Sequence, residues 1–208
     1  MSDRSSRLAV LGDNPLKLGV FGVNVSNGCA ITTADGTIEV NWPESVELAR
    51  AADRAGIEAM VPVARWKGFG GSTNFNHRTF ETYTWAAGLA QATERIAIFA
   101  TSHVPTIHPV LAAKQATTID HISGGRFGLN IVAGWNATEF EMFGKSQLPH
   151  EERYEAAEEW IELIKRLWTE PGSFDFTGRY FDCPGAYAEP KPLQQLSLIH
   201  ISEPTRLQ

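Results

Sequence analysis

The sequence predicts an α/β fold built on a parallel sheet. Short apolar runs alternate four times with stretches whose apolar residues recur at helical spacing, between Leu16 and Trp168. The landmarks Leu18, Ile57, Ile96 and Phe127 lie 39, 39 and 31 residues apart. A (β/α)8 TIM barrel of about 250 residues spends roughly 31 on each unit, so the rhythm suits a barrel with longer loops after its first two strands. A doubly wound sheet suits the alternation as well. No G-x-G-x-x-G follows the first run, which tells against a dinucleotide-binding version of that sheet.

Residues 1–14 read as a loose lead-in, and Leu16 to Val25 as the first strand. Ile31 to Asn41 is a loop, with Asp35-Gly36 as its turn. Pro43 opens a helix; Leu48, Ala51, Ala52 and Ala55 form its apolar face, and Gly56 stops it. Ile57 to Val63 is the second strand, followed by the glycine-rich loop Ala64 to Gly71. Phe80, Tyr83, Ala87 and Ala90 mark the next helix, and Ile96 to Thr101 the third strand. Val110 to Ile122 is a helix whose stripe closes with Ile119 and Ile122, ahead of the turn residues Gly124 and Gly125. Phe127 to Ala133 is apolar apart from Asn130, as in a strand covered on both faces. A short helix is expected over Ala137 to Phe143. A long one follows over Glu151 to Trp168, striped by Tyr154, Ala157, Ile161, Ile164 and Trp168. Phe174 to Tyr187 reads as a small hairpin.

Bulk properties exclude several classes. With 208 residues and 43% hydrophobic composition, the chain is long enough to bury a core. A net charge of −6 argues against a nucleic-acid partner. No apolar run approaches the roughly 20 residues of a membrane helix, and the start lacks a signal-peptide core. Two cysteines, Cys29 and Cys183, make neither a disulfide framework nor a metal quartet. A reduced, cytoplasmic protein is the expectation, with no membrane partner and no metal.

In a barrel the working residues sit at the C-terminal ends of the strands. That rule selects Asn24-Ser26-Asn27, the loop Ala64 to Gly71, Thr101 to His103, and Asn130 with Gly134-Trp135. Within the loop, Arg65 offers a planar fork and Trp66 a stacking face. His103 is the weaker candidate, and His108, His121 and His150 read as structural. No nucleophile–base pair stands out.

The stretch Lys114-Gln115-Ala116-Thr117-Thr118-Ile119-Asp120, then Gly125-Arg126-Phe127, Asn130 and Gly134-Trp135, resembles the bacterial-luciferase-like flavin-dependent monooxygenases, nearest to their pyrimidine, dimethylsulfone and alkanesulfonate branch. The resemblance spans Leu16 to Leu193 and implies a TIM (β/α)8 barrel, here truncated to about its first four βα units. It implies an enzyme that takes reduced FMN from a separate flavin reductase and uses O2 to oxygenate a small-molecule substrate, as a homo-oligomer when full length. By the same resemblance Ala64, Arg65, Asn130, Glu139, Arg153 and Tyr154 contact the flavin. Asn24, Thr101, Ser102, His103 and Trp135 then position oxygen and substrate. Two alternatives remain: a deazaflavin-dependent dehydrogenase of the same superfamily, and a non-catalytic flavin-binding incomplete barrel.

Leu196 to Arg206, L-S-L-I-H-I-S-E-P-T-R, resembles a translated sequencing adapter rather than a barrel strand. Residues 1–195 are therefore expected to be the N-terminal half of a barrel domain, and 196–208 a non-native tail lying outside the core.

Overall fold

The computed structural model describes residues 8–194 and 199–202. Four parallel strands, β1 Gly19–Phe21, β2 Ala59–Val61, β3 Ala97–His103 and β4 Phe127–Val132, lie side by side in chain order. Helices α1 Trp42–Ala55, α2 Thr82–Ala92 and α3 Pro109–Ser123 make the crossovers. After β4 come α4 Ala137–Met142, α5 His150–Thr169, and the antiparallel pair β5 Phe174–Thr177 and β6 Asp182–Ala186. The first two strands are shorter than the expected Leu16–Val25 and Ile57–Val63: Gly22, at φ 73°, turns the chain away after Phe21, and Val63 N donates to the Asn24 side chain instead of to a neighbouring strand.

Local chemistry accounts for the helix boundaries. Asn41 Oδ1 accepts the Glu44 N–H at the start of α1, and Gly56 ends it in the left-handed region at φ 80°. Both carboxylate oxygens of Glu81 accept backbone N–H groups of α2, and Gly124 closes α3 at φ 67°.

Alternate side chains of each strand go to opposite faces. Val20, Met60, Ile98, Ala100, Phe127, Leu129 and Ile131 pack with the helices in the main core. Ala59, Val61, Ala97 and Phe99 point the other way, where Leu8 packs on them. Two apolar stripes differ from expectation. In α1 the buried positions are Ser45, Ala49, Ala52 and Asp53, and Leu48 is exposed; in α3 Ile119 is buried but Ile122 is exposed.

The N-terminal end of the sheet is fastened by buried polar groups. Asp53 accepts the backbone N–H groups of Glu94, Arg95 and Ile96; these donors hold its pKa below the usual range even though burial pushes it up. Arg126, also buried, donates to the carbonyls of Ala90, Thr93, Ile96 and Ser123 and to Thr93 Oγ1. Asp120, fully buried, accepts from Leu193 N at 2.6 Å, Gln194 N at 3.1 Å and Gln194 Nε2 at 2.6 Å.

The Asp120 contacts bear on the tail. A fifth strand, β7 Ile199–Ser202, pairs parallel with β4, so the expectation that 196–208 stands apart is corrected at these four residues. Residues 195–198 and 203–208 lie outside the described residues. Two physical reasons suffice. Asp120 aims the chain along the open edge of β4 before residue 195, and an unpaired edge accepts an alternating apolar–polar segment such as Ile-His-Ile-Ser.

Candidate functional site

The strand parity that packs the core also builds the site. Continuing the inward series of β3 past Ala97 and Phe99 brings Thr101 and His103 to the C-terminal mouth of the sheet, where Asn130 and Val132 of β4 join them. Ser102 has the opposite parity. It is fully buried on the helix side, beside the Tyr83 hydroxyl, and lines neither cleft.

Thr101 and Asn130 are register partners in adjacent strands. Thr101 Oγ1 donates to the Pro62 carbonyl, which can only accept. It must therefore accept from Asn130 Nδ2, at 3.0 Å. That chain of donors fixes the amide with Oδ1 turned away from Thr101, as an acceptor on the cleft wall.

Asn24, fully buried, is placed differently from expectation. Its Nδ2 donates to the Val63 and Phe80 carbonyls and its Oδ1 accepts from Val63 N at 2.8 Å. With the amide committed to backbone, Asn24 shapes the loop after β2 and lines neither cleft.

That loop carries Ala64 and Arg65 to the mouth. The Arg65 side chain is 8% exposed and its Nη1 lies 3.2 Å from Glu139 Oε1. The same oxygen accepts the backbone N–H groups of Trp66 at 2.8 Å and Lys67 at 3.2 Å. Glu139, on α4, is itself fully buried. The Arg65 guanidinium carbon is 4.6 Å from the Phe69 ring centre and 5.2 Å from that of Trp135, and these two rings stack at 5.9 Å and 16°. Phe75 stacks on Phe69 in turn, at 5.8 Å. Sequence reasoning missed this aromatic wall; its trace was a phenylalanine between the glycines that follow Trp66.

Two clefts adjoin at Ala64, Arg65, Thr101 and His103. One, of about 360 Å³, lies over the inward face and takes in Asn130 and Trp135; the other, of about 490 Å³, opens toward Thr79 to Thr82 at the start of α2. Between them His103 is buried, edge-on to Phe140, and burial lowers its pKa to about 4, with Glu139 pulling it up and Arg65 pushing it down. Its neutral ring leaves Nδ1 without a protein partner; Arg65 Nε and Glu139 Oε2 are buried and unpartnered nearby.

Arg153 and Tyr154 are not brought to either cleft. Arg153 Nη1 donates to the Gly134 carbonyl and Nη2 lies 3.3 Å from His150 Nδ1, while Nε is buried without a partner. The Tyr154 ring packs 4.9 Å from that of His150. Among the described residues no cluster of three or more His, Cys, Asp or Glu side chains could hold a metal ion, and no helix is long and apolar enough to cross a membrane.

Comparison with known proteins gives the family and the fold. Residues 20–203 match the family described as luciferase-like monooxygenase. A pyrimidine monooxygenase, RutA, from Bradyrhizobium sp. is 35% identical over 188 residues, covering 88% of this chain and 51% of the relative. The chain thus spans about half the length of the curated relatives it matches. Three solved structures share the fold. EDTA monooxygenase (EmoA) from Chelativorans sp. BNC1 superposes with TM-score 0.78 at 21% identity, over 89% of this chain and 48% of that one. Riboflavin lyase (RcaE) with modified FMN and riboflavin gives 0.76 at 19%, over 90% and 49%. An F420-dependent secondary alcohol dehydrogenase gives 0.71 at 19%, over 88% and 51%. From the family match over residues 20–203, the chain belongs to the luciferase-like monooxygenases, oxidoreductases built on an α/β fold with a parallel sheet.

Proposed function

We propose that this chain is the N-terminal half of a TIM-barrel monooxygenase that uses reduced FMN and O2 on a small organic substrate. The observation that carries the reading is a set of buried polar atoms without hydrogen-bond partners among the described residues: Arg65 Nε and Nη1 and His103 Nδ1 where the clefts meet, and Glu139 Oε2 behind Arg65. Buried polar atoms are normally satisfied, and here they adjoin a flat aromatic surface and a free amide acceptor. A planar, hydrogen-bonding ring system such as a flavin meets all of these needs.

Within this reading each residue has a defined task. Phe69 and Trp135 offer stacking area, and Asn130 Oδ1 accepts a ring N–H. Arg65 stabilises negative charge on the ring. His103, neutral at physiological pH, offers one ring nitrogen as donor or acceptor inside the mouth. Reduced flavin, when bound, supplies the electrons for O2 chemistry; the chain's residues orient it and keep water out. A separate reductase would deliver the flavin, and the full-length protein is expected to associate with itself. The strand at Ile199–Ser202, within the adapter-like stretch, would stand where the native fifth strand runs. Similarity to pyrimidine monooxygenases makes a small nitrogen heterocycle the first substrate to try.

The experiment is anaerobic titration of the full-length protein with photoreduced FMN, beside Asn130→Leu. Loss of one such bond, about 1–3 kcal/mol, weakens binding roughly 5- to 150-fold. Equal affinity of the variant and wild type refutes the site. The similarity to an F420-dependent dehydrogenase keeps one rival reading, hydride transfer with a deazaflavin. A clear preference for deazaflavin in the same titration would select that rival. Flavin binding without O2-dependent turnover would select a non-catalytic binding protein.

A further inference from the structure

The geometry points to Glu139 as a positioning residue that fastens the loop after β2 to the helix after β4 and thereby sets the Arg65 guanidinium against the aromatic wall; the inference rests on the flavin reading for its effect, but not for the latch itself. Glu139 is fully buried, and a buried carboxylate is tolerated only when charge and hydrogen bonds compensate it. Among the described residues, the compensation comes from one loop and falls on one oxygen: Trp66 N at 2.8 Å, Lys67 N at 3.2 Å and Arg65 Nη1 at 3.2 Å from Oε1. Three consecutive residues are thus held by a side chain more than seventy positions along the chain. The two backbone bonds fix where the loop leaves the sheet. The ion pair fixes how far the guanidinium reaches toward Phe69 and Trp135.

Direct contact with a ligand, through the unpartnered Oε2, is a separate matter. It would leave the loop's conformation in the free protein independent of Glu139. The latch makes the opposite demand: without Glu139 the loop loosens even when no ligand is present, and Arg65 loses much of its value.

Two measurements on the full-length protein test this. Hydrogen exchange without flavin follows the Trp66 and Lys67 amides in wild type, Glu139→Ala and Glu139→Gln. The expected result is at least about tenfold faster exchange in Glu139→Ala, with α2 and β3 unchanged. Glu139→Gln keeps the shape and an acceptor oxygen, so it should restore most of the protection and also control for misfolding. Unchanged exchange at both amides in Glu139→Ala overturns the latch.

The second measurement is a double-mutant cycle on reduced-FMN affinity with Glu139→Gln and Arg65→Met. The glutamine keeps the loop but drops the charge that orients Arg65. If Glu139 acts through Arg65, the double variant binds about as weakly as Arg65→Met alone; multiplication of the two single losses overturns that role. Should wild type bind no reduced flavin while the exchange result holds, the latch stands and the flavin reading falls.

Discussion

Replacing Arg126 with leucine should cost this protein a large share of its stability while leaving the mouth of the sheet chemically intact. Arg126 follows the turn Gly124-Gly125 and enters β4 from the N-terminal end, opposite the clefts. Its side chain makes five hydrogen bonds, at 2.8 Å to Ser123 O, 2.7 Å to Ile96 O, 2.9 Å to Ala90 O, 2.9 Å to Thr93 O and 3.3 Å to Thr93 Oγ1. It thereby joins the end of α2, the entry to β3 and the end of α3. Leucine fills much of the volume but strands four carbonyls that a 6%-exposed site shields from water. Each stranded group costs about 1–3 kcal/mol if no water reaches it. Against this, the wild-type guanidinium bears a desolvation cost of its own, seen in its lowered pKa, which nearby Asp53 and Glu94 offset only in part. Allowing for that cost and partial relaxation, the net loss should be about 3–5 kcal/mol, of the 5–15 kcal/mol that a domain possesses. Arg126→Lys keeps the charge but not the fork, and should fall between. The assay is urea unfolding of the full-length protein followed by far-ultraviolet circular dichroism. An unfolding free energy for Arg126→Leu within about 1 kcal/mol of wild type, at equal slope, would refute the reasoning.

Three further outcomes are expected. Thr101→Val removes the acceptor that orients Asn130, and should weaken reduced-FMN binding several-fold with little change in melting temperature; a titration identical to wild type counts against the Thr101–Asn130 relay. His103 has a folded pKa lowered from 6.5 to about 4, so the unfolded chain binds the extra proton first. Its contribution is fully present above about pH 6.5 and is lost as pH falls toward 4, by about 3 kcal/mol at most; His103→Gln should flatten that part of the stability profile, and a superimposable profile would show that another group is responsible. The β1 edge carries exposed Leu18 and Phe21, so the 208-residue chain should self-associate on sedimentation, and charged substitution at Phe21 should reduce this; a monodisperse monomer at micromolar concentration contradicts it.

The sequence alone was enough for the architecture of the four βα units, because each rests on local signals: Pro43 starts α1, Gly56 and Gly124 stop α1 and α3, and the apolar runs between are strands in order. It also brought Arg65, Thr101, His103, Asn130 and Trp135 to attention, since strand ends in such a sheet share one rim. Only the tertiary structure decided which of the rim residues face the mouth. A strand covered on both faces is apolar at every position, so its sequence carries no parity, and nothing in Thr101-Ser102-His103 says that the serine turns to the helices. Long-range hydrogen bonds made the remaining decisions. Asn24 is spent on Val63 and Phe80, the Glu139 carboxylate on a loop more than seventy residues away, and Asp120 on steering residues 193 and 194 toward the edge of β4. A polar side chain's partners depend on what the fold sets beside it, and spacing along the chain does not encode that.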